Sequence, residues 1–106
     1  MAWLLLVVAG LFEIAWAIAM KKLQGGARPW LFAFMVATML ASFVLLSRAM
    51  RDLPVGTAYA VWTGIGAAGT ALLGILLFGE PASAARLGSI ALIVAGIVGL
   101  KLLSPA

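Results

Sequence analysis

Residues 53–79 read LPVGTAYAVWTGIGAAGTALLGILLFG, 27 positions from Leu53 to Gly79 without a charged side chain. A helix rises 1.5 Å per residue, so about 20 apolar residues cross the roughly 30 Å hydrocarbon core of a bilayer. This stretch is long enough to span a membrane. The pattern recurs three times along the chain. Pro29–Ser47 carries no charge and is bounded by Arg28 and Arg48. Ala2–Met20 carries one, Glu13, and stops at Lys21-Lys22. Leu87–Leu103 has Lys101 near its end. The spans expected are 2–20, 29–50, 55–78 and 84–103. Gly25-Gly26 with Pro29, Leu53-Pro54-Val55-Gly56, and Gly79-Glu80-Pro81 supply turn chemistry between them. In lipid every backbone group must be satisfied internally, and the blocks lack the alternation of a membrane barrel. The expected fold is therefore all-α, with a single four-helix transmembrane domain over 1–106.

Composition excludes most alternatives. Of 106 residues, 66% are apolar and 9% charged, against about a quarter charged in soluble domains. So few charges cannot cover the surface of a soluble domain this small. The absence of Cys and His removes thiolate and imidazole metal sites, His-based triads and disulfides. No cofactor or metal is expected. The net charge of +4 is spread between apolar blocks instead of gathered in a patch, so it reads as membrane flanks and not as a nucleic-acid surface. The first block has no basic segment ahead of its apolar run and an acid inside it, so it is expected to be a span and not a cleaved signal peptide.

Four spans put both termini on one side of the membrane, with Arg48, Arg51 and Lys101. Lys21, Lys22, Arg28 and Arg86 fall on the other. Orientation follows the excess of Lys and Arg on the cytoplasmic side, and three against four is almost no excess. Two readings stand open on charge alone: one fixed orientation, or insertion both ways with pairing to an inverted copy.

Glu13 lies about ten residues from either end of its span, roughly 15 Å deep. Ionisable residues at such depth are costly and point to function. The plain alternative is a neutral Glu hydrogen-bonded to a neighbouring helix. No basic residue sits at matching depth, so a proton or a cationic ligand must neutralise the carboxylate, and the same group cannot hold both. At helical spacing Glu13 is flanked by Ala9, Gly10, Trp16 and Ala17. Small residues leave room for a ligand or for close helix packing. The Trp16 N–H can reach a carboxylate one turn away, and its ring face can receive a cation. Trp3 and Trp30, at span ends, read as interface anchors.

Other polar groups fall at depth. Tyr59, Trp62, Thr63 and Gly66 share one face of the third span, which suits either a cation site or an aromatic helix contact. Gly64 and Gly66, with Gly69, mark a conformational bend or a place of close packing. Ser42 is positioned to orient a carboxylate, or to bond back to its own helix. Gly88, Ala91, Ala95 and Gly99 form a small-residue stripe that reads as a packing seam for a dimer. Lys101 reads as a snorkelling terminal residue.

Ala9–Ala17 (AGLFEIAWA), Leu53–Ala67 (LPVGTAYAVWTGIGA) and Gly96–Lys101 (GIVGLK) closely resemble the small multidrug resistance family, and the resemblance covers essentially the whole chain. Trp16 after the acid, together with Lys101, resembles the guanidinium-exporter subtype. The loop Gln24–Trp30 departs from the family's usual Gly-Phe pattern. The resemblance implies a proton-coupled antiporter in the bacterial inner membrane, working as an antiparallel, dual-topology homodimer. It implies that Glu13 is the shared proton and cation site, with Trp16, Ser42, Tyr59 and Trp62 around it and Gly10 and Thr63 as further members. The partners expected are guanidinium-type cations, protons, lipid and a second copy of the chain. Competing readings are an exporter of quaternary ammonium or aromatic cations, a small ion channel and an accessory subunit. A channel fits less well, because cation pores typically use rings of charge and not one buried acid.

Overall fold

A computed structural model describes residues 1–26 and 28–103. Ala27, in the first connection, and Ser104–Ala106 lie outside the described residues. Four helices form in chain order: α1 (Ala2–Leu23), α2 (Pro29–Ala49), α3 (Val55–Phe78) and α4 (Ala84–Leu103). Each has 20 to 24 residues and a mean hydropathy between 1.8 and 2.2 over its most apolar window, enough to cross a bilayer. The helices α3 and α4 cover 55–78 and 84–103. Helix α1 continues through Lys21, Lys22 and Leu23, which places the lysine pair in the last helical turn, where cations oppose the helix dipole.

The ends follow local chemistry. Pro29 opens α2, where its missing N–H costs nothing. Gly79 closes α3 in the left-handed region, φ +66°, a conformation that favours glycine. Ser83 caps α4, accepting from the Arg86 amide at 3.2 Å.

The helices lie side by side as a slab with dimensions of 45 × 35 × 16 Å. Their order across it is α2–α1–α3–α4, because α1 packs on α2 and α3, and α4 packs on α3. The helix carrying Glu13 is therefore central. The buried core lies toward the end that holds the chain termini and the α2–α3 turn. It joins Ala2, Leu6 and Ala9 of α1 to Leu46 and Ala49, Leu53, and Ala58, Val61 and Trp62 of α3. At that end Lys101 stands over the Trp3 ring, with Nζ 4.8 Å from its centroid, so it is engaged with an aromatic face. The opposite end of the slab is less filled.

α4 buries Ile90 alone among its described residues. Gly88, Ala91 and Ala95 are exposed and Gly99 half-buried. A Cβ added at Gly88 or Gly99 would touch nothing within 4 Å. This stripe is thus largely uncovered within the protomer.

Candidate functional site

The seam between α1 and α3 is built from glycines receiving larger side chains. A Cβ at Gly10 would strike Ile65, and one at Gly69 would strike Ile14. One at Gly66 would overlap the Glu13 carboxyl, with Glu13 Cγ 2.9 Å away. Glu13 therefore lays its carboxyl across α1 onto bare α3 backbone. Gly64 performs the same service toward α4, where Ile97 Cδ1 would lie 2.9 Å from an added Cβ. α3 runs without interruption through Gly64 and Gly66. In this conformation the two glycines serve close packing within a continuous helix.

Glu13 faces a cleft of about 500 Å³ between α1 and α3. Trp16, Ala17 and Lys21 line its α1 wall, and Thr63, Gly66, Thr70, Gly74 and Phe78 its α3 wall. Glu80 and Arg86 stand at its mouth. Glu13 Oε1 and Trp16 Nε1 are both buried and have no hydrogen-bond partner among the described residues. Glu13 likewise has no ion-pair partner there. No hydrogen bond joins these two side chains, and the Glu13 carboxyl lies against Gly66. The cleft thus offers a carboxylate oxygen and an aromatic face, which together can hold a small planar cation.

The remaining residues divide. Thr63 lines the cleft, but its hydroxyl donates to the Tyr59 and Ala60 carbonyls at 2.9 and 3.2 Å. Ser42 neither orients the carboxylate nor bonds to its own helix. Its hydroxyl donates to the Ala9 carbonyl at 2.7 Å and accepts from Trp62 Nε1 at 2.8 Å, linking α1, α2 and α3 behind the cleft. This fixes the Trp62 indole, which packs tilted against Phe43 and Tyr59 at 5.7 and 5.5 Å between centroids. Tyr59 is 54% exposed and lies seven residues, about 10 Å, along α3 from Gly66. Within one protomer neither Tyr59 nor Trp62 lines the Glu13 cleft, so the shared face read from the sequence holds two groups: Thr63 and Gly66 at the cleft, and Trp62 in the core with exposed Tyr59 packed against its ring. Gly10 belongs to the packing seam under Ile65 and not to the cavity lining.

Sequence reasoning missed Lys21, Thr70, Gly74, Glu80 and Arg86 as cleft residues. The signal was present in part: Gly66, Thr70 and Gly74 continue one small and polar stripe at spacings of four. The fold-back of Glu80 depends on the αL turn at Gly79. A second groove of about 370 Å³, on the other flank of α1, is apolar, with Lys22 and Arg28 at its rim and no acid in its lining. It is not suited to a cation.

Comparison with known proteins agrees with this architecture. A family model described as Small Multidrug Resistance protein matches residues 1–93. A Citrobacter freundii protein named guanidinium exporter is 59% identical over 102 residues, covering 96% of this chain and 97% of its own. A Yersinia pseudotuberculosis protein of the same name is 58% identical over 104 residues, covering 98% of this chain and 100% of its own.

Proposed function

This chain belongs to the Small Multidrug Resistance family, and from that premise we propose that it is a proton-coupled antiporter exporting guanidinium and small guanidinyl cations. With its four apolar helices it is a multi-pass protein of the bacterial inner membrane, and the family is one of transporters. Glu13 binds either protons or the cation. Loading the cation requires the deprotonated carboxylate, and protons arriving from the opposite side displace it.

The observation that carries this reading is the Glu13 carboxyl itself: mid-span, laid on Gly66, with a buried oxygen that has no partner among the described residues. A planar cation with paired N–H donors matches a carboxylate bidentately, and the names of the relatives fit that class. The cleft is larger than guanidinium, which leaves space for a short apolar tail between Ala17 and Phe78.

The working unit is an antiparallel homodimer. Near-equal basic counts on the two sides support insertion both ways, and the uncovered α4 stripe supplies close-packing surface for the second copy. Exposed Tyr59 is then available to the partner's site. The test is uptake of guanidinium into proteoliposomes driven by a pH gradient, with Glu13→Gln alongside. Gradient-driven uptake in the wild type and none in the variant is expected; full activity in Glu13→Gln would make the acid structural.

A further inference from the structure

The cleft holds a second carboxyl that the exchange at Glu13 does not use. Gly79 reverses the chain at the end of α3, and the Glu80 amide donates to the Gly74 carbonyl at 3.3 Å. The Glu80 side chain is thereby folded back onto α3, where a Cβ at Gly74 would overlap its carboxyl. Glu13 rests on Gly66 in the same manner. Gly66 and Gly74 are eight residues apart on one helix and line the same cleft. The two carboxyls are therefore stationed about 12 Å apart along it, one at mid-depth and one at the mouth.

Glu80 is paired with a guanidinium already. Arg86 Nη2 donates to Glu80 Oε1 at 2.6 Å, and Arg86 is held by the capped first turn of α4. Its head group is the same chemical species as the proposed substrate. The two side chains are 38% and 40% exposed, so this is a solvent-screened pair that exchanges readily. Arg86 Nε is buried with no acceptor among the described residues, so this side chain is not fully satisfied by its present partner.

We propose that Glu80 is an outer station for the substrate cation, occupied by Arg86 until a guanidinium from solution exchanges with it at the mouth of the cleft. The proposal rests on the substrate class argued above. It assigns Arg86 as a tethered competitor: a free guanidinium displaces it, is held at the mouth, and passes inward when Arg86 returns to Glu80.

Two measurements test it. The first is the guanidinium concentration that half-saturates uptake. Lys21, Glu80 and Arg86 sum to +1 at the mouth; Glu80→Gln makes this +2, and the double variant Glu80→Gln/Arg86→Gln restores +1. Glu80→Gln is expected to raise half-saturation on the order of tenfold with little change in maximal rate, and the double variant is expected to stay raised. Recovery to the wild-type value in the double variant would show a pure field effect and overturn the station. The second is the Arg86 Nε–H resonance of the Glu13→Gln protein, in which the inner site is disabled. Guanidinium chloride at millimolar concentration should shift it, and tetramethylammonium chloride should not. A silent Arg86 while the wild type takes up guanidinium overturns the station and leaves the exporter reading intact. A responding Arg86 with no wild-type uptake would overturn the exporter reading and leave the station.

Discussion

Gly66→Ala adds one methyl where the Glu13 carboxyl lies. Glu13 Cγ would be 2.9 Å from the new Cβ, and ordinary contact begins near 3.4 Å. The chain must give by at least that half-ångström at Cγ and by more at the carboxyl beyond it. The colliding atoms are the far end of a flexible side chain, so the fold can accommodate them. Alanine also favours the helix by roughly 0.5–1 kcal/mol over glycine, so stability in detergent is expected to change little. Binding is different. A hydrogen bond to a charged group contributes about 1.5–3 kcal/mol, and each 1.4 kcal/mol is a factor of about ten. Misaligning one of the paired N–H···O contacts should therefore weaken guanidinium binding roughly ten- to hundredfold. Gly10→Ala is the control: its methyl meets Ile65 Cβ at 2.8 Å, close to the backbone, and overpacking there should cost about 1–3 kcal/mol of stability. Calorimetric titration of guanidinium with thermal unfolding of each variant separates the two effects. Wild-type affinity in a folded Gly66→Ala protein would refute the placement of the carboxyl.

Ser42→Ala should destabilise the protein by about 1–3 kcal/mol, because the buried Trp62 N–H loses its acceptor. Denaturation in detergent measures it, and unchanged stability would contradict the Ala9–Ser42–Trp62 link. Trp16→Gly should narrow the preference for guanidinium over a tetraalkylammonium of similar size, because it removes a flat ring face suited to a planar cation and enlarges the cleft. Competition of the two cations in proton-coupled uptake reads this directly, and an unchanged ratio would remove Trp16 from the site. Reporters fused at the C-terminus should show cytoplasmic and external populations, and two lysines added beyond Ala106 should bias that end inward. A single orientation in the unmodified chain would count against the antiparallel pair.

The four helices were legible because apolar length and charge placement mark each span, and Pro54 and Gly79 mark both ends of α3. Glu13 and Trp16 were legible because an acid at mid-span is conspicuous in so apolar a chain. The use of each glycine was not. Gly10, Gly64 and Gly66 could serve a cavity, a bend or close approach, and only the facing side chains Ile65, Ile97 and Glu13 distinguish these. The partners of Ser42 were not legible because they lie 33 and 20 residues away, beyond any local periodicity. Glu80 and Arg86 fall in a turn and an adjoining helix end, where the side-chain path depends on the αL conformation at Gly79.

In the proposed exchange one carboxyl, Glu13, holds either the proton or the cation. Proton release on guanidinium binding tests it most directly, measured in weakly buffered solution across the neutral pH range. Wild type should release protons as guanidinium binds, most where Glu13 is protonated beforehand and least where it is already ionised, and Glu13→Gln should release none. Equal release from wild type and Glu13→Gln, or tight binding by wild type with no release at any pH, would contradict the account.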